Sequence, residues 1–373
     1  MKVNISLVGG QPFPVFAQAL DAKPDILVLI HSEDTKKQAL RIENVIKKKL
    51  PYTKVKPIDV DAYDFAKSEI TLKDTFNAWT KPDNEVTVNI AGGTKPWALQ
   101  LYRLALDREN VKCVFIDQNN KVWDMKSFKS HSCDHGEINI DDLFELNGVT
   151  GHYKEFDHAD DEAANKIEKL YVCNRSALGN LAKLISDDEK NFNFQVAHRF
   201  GKSSIQRNGE NDFDCIMVSN KGYSVNQHIS SPNAKRLLLN TGWFEHKVAG
   251  LLTKWIDAKR VLVNAEFNLA NKTNPANEID IIVETKSGKY LFVECKTRVF
   301  EPTDIDKFNT AVKTYGGLGS KHIFVTYYPM EGLAKDKCEN LSIPIFSTRD
   351  IKFKGEKQFF DALDREMATI NAR

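Results

Sequence analysis

Hydrophobic positions in the first 125 residues follow two alternating rhythms. Val3–Val8, Asp25–Ile30, Val55–Val60, Glu85–Ile90 and Lys112–Asp117 are short apolar or alternating runs of strand length. Between them, Lys36–Lys49, Ala66–Thr80 and Trp97–Asp107 read as helices, and another helix follows the loop Gly9-Gly10-Gln11-Pro12-Phe13-Pro14. This alternation predicts a doubly wound, mostly parallel sheet. Such sheets bind ligands beyond the carboxyl ends of their strands, at the topological switch point. Trp97–Leu106 is apolar almost all round, which predicts burial on both sides, one of them in a dimer interface.

Beyond residue 125 the pattern loosens. Residues 126–162 read as a connection with a short helix at Ile140–Leu146, and the acidic run Asp157–Glu162 as a solvated linker or first helical turn. Ala163–Leu184 has helical spacing, and Asn193–Asn226 reads as short strands with polar turns. Regularity returns at Gly242–Trp255, where Phe244, Val248, Leu251, Leu252 and Trp255 share a helical face. A strand (Arg260–Phe267), a hairpin, a helix (Asp304–Tyr315), two buried strands (His322–Tyr327 and Ile343–Phe346) and a helix from about Glu356 follow. The order predicts an α+β unit with a mixed sheet. The chain thus divides into an α/β unit at 1–145, a connecting region at 146–240 and an α+β unit at 241–373. The middle region fits a small winged helix, an added sheet layer or a part of the last unit.

The 373 residues are enough for two or three domains, and 42% hydrophobic with 28% charged residues is a globular balance. A net charge of +1 gives no overall basic footprint, so any nucleic-acid contact must come from a local groove. The apolar runs are too short to span a bilayer, and MKVNISLVGG lacks the apolar core of a signal peptide. The six cysteines are scattered without a CxxC pair, and Cys133-Asp134-His135 lacks the partners of a zinc site. The expectation is a cytoplasmic protein with reduced thiols.

Candidate chemistry centres on NEIDIIVETKSGKYLFVECKT, residues 277–297. Lys286-Ser287-Gly288 separates two β-rich runs, and Gly suits the left-handed residue that ends a three-residue hairpin loop. A hairpin centred on Ser287 sets Asp280 opposite Glu294, each seven residues from the centre. Opposed like charges destabilise a strand pair, so a hard divalent cation between them is expected. Lys296 and Phe292 share that face. Asp, Glu-x-Lys and a metal make a hydrolytic phosphodiester site: the metal would polarise the phosphate and acidify a water, and Lys296 would position that water or balance developing charge. Glu245, in the first turn of its helix, is by itself an acid suited to the helix dipole.

A second motif, Ala91-Gly92-Gly93-Thr94-Lys95-Pro96, follows a strand and opens a helix. Its glycines, helix N-terminus and Lys95 suit an anion; equally, it could be a tight turn with Thr94 as N-cap. Neither GxxxxGK[ST] nor GxGxxG is present, which argues against a P-loop nucleotidase and a dinucleotide-dependent enzyme.

Asn240-Thr241-Gly242-Trp243-Phe244-Glu245, Glu278-Ile279-Asp280 and Val293-Glu294-Cys295-Lys296 resemble the core motifs of PD-(D/E)XK nucleases, of restriction-endonuclease-like fold. Ile90-Ala91-Gly92-Gly93-Thr94-Lys95 resembles the signature loop of CARF domains, the Rossmann-like sensors of CRISPR-associated proteins. The pair, in this order, is similar to type III CRISPR ancillary nucleases activated by cyclic oligoadenylate. The resemblance implies a homodimer whose paired CARF domains hold a cyclic tetra-adenylate ring across the two-fold axis, contacted by Gly92, Gly93, Thr94 and Lys95 with Gln11, Phe13 and Ser32 closing around it. It also implies Mg²⁺ or Mn²⁺ at Asp280, Glu294 and the Cys295 carbonyl, catalysis by Glu245, Asp280, Glu294 and Lys296, and cutting of single- or double-stranded DNA, RNA or both. The alternative is a CARF-domain regulator that binds nucleic acid without cutting; the complete Asp280/Glu294/Lys296 set argues against it.

Overall fold

β1 (Lys2–Leu7), β2 (Ile26–His31), β3 (Lys54–Asp59), β4 (Glu85–Asn89) and β5 (Val111–Ile116) lie parallel in the order β3-β2-β1-β4-β5. β6 (Lys121–Asp124) and β7 (Ser130–Ser132) extend the β5 edge antiparallel. The apolar pattern did not reveal these two, because β7 is exposed throughout. The structure is a computed structural model and describes residues 1–117, 121–134, 136, 138–188, 191–269, 277–286, 288–297, 301–316 and 320–368.

Helices α1 (Phe13–Ala22) and α2 (Lys36–Lys49) cover one face of this sheet, packing Phe16, Ile42 and Val45 with Leu27 and Leu29. Helices α3 (Phe65–Trp79) and α4 (Lys95–Leu106) cover the other, packing Phe76, Trp97 and Leu101 with Val28 and Ile30. Only Trp97, Leu101 and Ala105 of α4 are buried, whereas Leu99 is 68% exposed. The single chain therefore covers one face of α4 and leaves the other open, rather than burying both.

The short helix α5 (Ile140–Asn147) leads to β8 (Val149–Glu155) and the long α6 (Asp161–Asp187). β9 (Asn193–His198), β10 (Gly201–Gly209), β11 (Asp212–Val218) and β12 (Ser224–Ser230) form an antiparallel meander. Phe194, Ile205, Phe213, Met217 and Ile229 pack it against α6. Asn174 leaves helical geometry in mid-α6 (φ −155°, ψ 86°). Its amide donates to the Val218 carbonyl at 2.8 Å and accepts the Ala177 N–H at 3.0 Å, so it caps the second half of a kinked helix.

After α7 (Ala234–Leu239) and α8 (Gly242–Leu252) come β13 (Ala258–Leu269), β14 (Asn277–Thr285), β15 (Tyr290–Lys296), α9 (Pro302–Tyr315), β16 (Ser320–Thr326), α10 (Leu333–Asn340), β17 (Ile345–Ser347), α11 (Thr348–Lys354) and α12 (Glu356–Ala368). The strands form one mixed sheet, β17-β16-β15-β14-β13-β8, which takes β8 from ahead of the meander. Among the described residues no helix is long and apolar enough to cross a membrane.

One face of this sheet shares a core with the N-terminal unit: Phe16, Ile42, Leu143, Phe144, Phe267, Phe292 and Phe308 belong to one continuous cluster. The bridge is α5. Lys48 and Lys49 pair with Glu145 and Asp142 at 2.6 Å, and Arg41 donates to the Asn147 carbonyl at 3.0 Å. On the other side, the Asn147 amide donates to the Tyr315 carbonyl of α9 at 3.1 Å.

His322 of β16 lies against Phe308, 5.6 Å between centroids, and its Nε2 is buried without a hydrogen-bond partner. Burial, with Lys321 and Lys313 nearby, pulls its pKa down to about 4. The unfolded chain holds this proton below about pH 6.5, so His322 contributes stability above that pH and loses it toward pH 4. A His322→Phe variant should lose less stability than the parent between pH 7 and 4.5 in urea melts, by up to about 3 kcal/mol. Parallel pH profiles would contradict this.

Candidate active site

β14 and β15 pair as Ile281–Val293, Ile282–Phe292, Val283–Leu291 and Glu284–Tyr290. This is the register of a hairpin centred on position 287, itself outside the described residues. Gly288 takes φ +76° and donates to the Thr285 carbonyl at 3.1 Å, as the turn requires. Asp280 and Glu294 are the next pair beyond Ile281–Val293, where the ladder stops. The Asp280 carboxylate accepts the Cys295 N–H at 2.7 Å in place of a backbone bond.

Side-chain alternation slips at this point. Ile279 joins the cluster of Phe292, whereas Ile281 joins the cluster on the opposite face. The neighbouring strand is irregular at the same level: Asn264 has φ +53°, and the β13–β14 pairing runs past it from Val263–Ile281 to Ala265–Ile279. Irregularity of this kind re-aims a side chain out of the sheet.

Glu245 approaches from the first turn of α8, whose Trp243, Phe244 and Val248 fasten the helix to the core under β14 and β15. Arg236 Nη1 donates to Glu245 Oε2 at 3.2 Å and to Asn264 Oδ1 at 2.6 Å. Arg236 thus joins α7, α8 and the β13 irregularity, and nothing in the sequence pattern singles it out. Lys296 Nζ meets Glu294 Oε1 at 2.6 Å. Phe292 is fully buried, so the face carrying Glu294 and Lys296 is covered at its base. Cys295 is buried and offers the site its backbone rather than its thiol.

The electrostatics show three acids sharing too little positive charge. Burial, followed by the charges of Glu294 and Glu245, raises the Asp280 carboxyl well above the usual range. Burial pushes Glu245 up to about 7 against the pull of Arg236, and it also raises Glu294 despite Lys296. Burial opposes the charge on Lys296, but Glu294 and Asp280 more than offset it and hold the ammonium above its ordinary range. Crowded oxygen donors of this type suit a hard divalent cation. Among the described residues no group of three or more His, Cys, Asp and Glu side chains forms a ready metal cage. Two carboxylates with water and a phosphate oxygen match the way Mg²⁺ is commonly held, and the residues present fit such an ion.

The N-terminal candidates gather at the carboxyl ends of β1, β2 and β4. Loop 8–12 after β1 and loop 90–94 after β4 interlock: a Cβ on Gly92 would sit 2.1 Å from the Leu7 carbonyl oxygen, and one on Gly9 3.1 Å from the Gly93 nitrogen. Buried Asn89 ties loop 90–94 to the start of α1, accepting the Ala91 N–H at 3.0 Å and donating to the Pro14 carbonyl at 3.4 Å. Thr94 N-caps α4, accepting the Trp97 N–H at 3.4 Å, and Lys95 is exposed beside it. Gln11 is exposed. Ser32 is buried and caps the turn at 33–35, its N–H donating to Thr35 Oγ1 at 3.0 Å. Phe13 is only 5% exposed and packs into the core, so it supports the loop from beneath.

Residues 3–142 match the Card1 CARF domain. No curated protein matches the chain. Protein VC1899 from Vibrio cholerae has a similar structure (TM-score 0.74, 14% identity), covering 100% of this chain and 99% of that one. So does Can2 from Sulfobacillus thermosulfidooxidans, solved with cyclic tetra-adenylate (TM-score 0.71, 18% identity, 98% and 99% covered). A type III CRISPR defence DNA nuclease activated by cyclic oligoadenylate matches at TM-score 0.55 and 15% identity, over 95% of this chain and 51% of that one. At these identities the likeness establishes the fold alone, and the family match places a CARF domain at residues 3–142 of this chain.

Proposed function

We propose that this chain is a metal-dependent endonuclease of the PD-(D/E)XK type, activated by cyclic oligoadenylate in type III CRISPR defence. The observation that carries the reading is the meeting of Asp280, Glu294, Lys296 and Glu245 at the end of one ladder in a chain whose residues 3–142 match a CARF domain. Domain limits of 1–145 for the sensor and 241–373 for the nuclease follow, with β8 and α6 of the intervening region packed into the nuclease unit.

Asp280 and Glu294, with the Cys295 carbonyl, would hold Mg²⁺ or Mn²⁺, which when bound polarises the scissile phosphate and lowers the pKa of a water. Lys296 neutralises the acid pair and stays charged beside it, where it orients the attacking water or meets charge developing on the phosphate. Glu245, steadied by Arg236, holds water or metal from the helix side. The Gly92-Gly93 loop and Lys95 receive phosphates of the activator at the opening of α4, and Gln11 and Ser32 flank them.

Purified protein with Mn²⁺ should cut single-stranded DNA or RNA only when cyclic tetra-adenylate is supplied. Equal product with and without the ring, on every substrate, would refute the activation.

We further propose a homodimer built on the open face of α4, since a two-fold-symmetric ring suits an isologous interface. Leu99 and Leu106 are 68% and 48% exposed there. Leu99→Asp should shift the chain from dimer to monomer in light scattering and weaken ring binding. A variant that stays dimeric with unchanged ring affinity would place the interface elsewhere.

A further inference from the structure

The carboxyl end of β16 brings a second group beside the candidate active site. Thr326 pairs with Lys296, and the Tyr327 N–H donates to the Lys296 carbonyl at 3.0 Å. Tyr328 comes next, its backbone held by the Thr326 hydroxyl, which donates to the Tyr328 carbonyl at 2.6 Å. Its ring is half-buried and carries two guanidinium groups: Arg175 Cζ lies 5.3 Å and Arg349 Cζ 4.7 Å from its centroid. Each cation comes from a different element. Arg175 follows the Asn174 kink in α6, and Arg349 stands in the first turn of α11. Both are exposed, and among the described residues neither is paired with a carboxylate.

The group is tied to the strand that carries Lys296. Tyr171, one turn before Arg175, donates its hydroxyl to the Thr297 carbonyl at 2.7 Å, and its ring lies 6.4 Å from that of Tyr328. Two guanidiniums held over one aromatic ring, neither on a carboxylate among the described residues, are a binding surface for a polyanion. Arginine matches phosphate oxygens in bidentate geometry, and the tyrosine ring fixes where the two cations stand.

We propose that Arg175 and Arg349, spread on the ring of Tyr328, seat a nucleic-acid strand next to the cutting site, the guanidiniums on successive phosphates. This rests on the nuclease reading and adds to it the residues that position the substrate.

The test uses the full chain with Glu294→Ala to prevent cutting, cyclic tetra-adenylate present, and fluorescent oligothymidylate or oligouridylate followed by anisotropy over a salt series. Arg175→Ala with Arg349→Ala should weaken binding about 10-fold or more and flatten the log–log salt slope by about 1.4, two phosphate contacts at roughly 0.7 each. Tyr328→Phe should bind like the parent, and Tyr328→Leu at least about 5-fold more weakly, because the ring that places both guanidiniums is lost. Unchanged ring affinity and melting temperature would show that the variants fold.

Parent affinity and slope in the double arginine variant, or equal binding by Tyr328→Phe and Tyr328→Leu, would overturn the proposal. The nuclease reading is tested apart from it: if the chain with Glu294 intact cuts while these variants bind normally, only the seat is wrong. If that chain neither binds nor cuts, both readings fail.

Discussion

Replacing Glu294 with alanine is expected to lower activated cutting by about 10³-fold or more, leaving the affinity for cyclic tetra-adenylate unchanged. Glu294 stands opposite Asp280 at the end of the β14–β15 ladder and is the direct partner of Lys296 at 2.6 Å. Its removal takes away half of the acid pair offered to a divalent ion and frees the ammonium to collapse onto Asp280. Loss of metal-borne charge stabilisation amounts to several kcal/mol in a transition state, and about 4 kcal/mol is a factor of roughly 10³ in rate. The proposed ring site lies in another unit, on the sheet of β1 and β4, and shares none of these carboxylates. Single-turnover cleavage beside calorimetric titration of the ring separates the two effects. Cutting within about 10-fold of the parent would remove Glu294 from the chemistry and the proposed metal with it.

The second large effect is expected at Gly92. A methyl group there would stand 2.1 Å from the Leu7 carbonyl oxygen and 2.9 Å from the Gly9 nitrogen, both backbone atoms that no rotamer change can move. Gly92→Ala must push loop 90–94 off loop 8–12, which also strains the Asn89 bridge from loop 90–94 to α1. Overpacking of this kind costs about 1–3 kcal/mol of stability. The rearranged loop should lose about 100-fold in ring affinity and abolish the response to the activator. Lys95→Ala should do less, about 10-fold, because it removes one exposed charge and leaves the loop shape intact. The ranking is the check: a Gly92→Ala chain that binds the ring as well as Lys95→Ala would show that loop shape is not what the activator reads.

The hairpin was the most legible part of the site. Alternation in EIDIIVE and YLFVECK, with one glycine of positive φ between them, determines the register, and register determines which acids meet. What alternation could not convey is the slip at Asp280, because it comes from the neighbouring strand, where Asn264 takes a positive φ and is held by Arg236. Arg236 was invisible for the same reason: its role comes from three elements meeting in space. The N-terminal strand order follows the strand–helix rhythm, whereas β6 and β7, short and polar, give no periodic signal. Phe13, read as a residue closing on the ring, opens α1 with its side chain buried beneath the loop, a placement that periodicity alone does not convey. On α4, an all-round apolar sequence distinguishes burial on two sides only when both partners are present.

The helix from Ile140 to Asn147 has a consequence for how such chains can be taken apart. Its apolar side fills a core that belongs to the units before and after it, and its charged ends are clasped by Arg41, Lys48 and Lys49 on one side and α9 on the other. Severing the polypeptide near residue 145 would tear a shared interior open and leave two sticky remnants. Recombination that exchanges one half for a foreign counterpart must therefore carry this helix and its sockets together, so the two halves are inherited as a matched set.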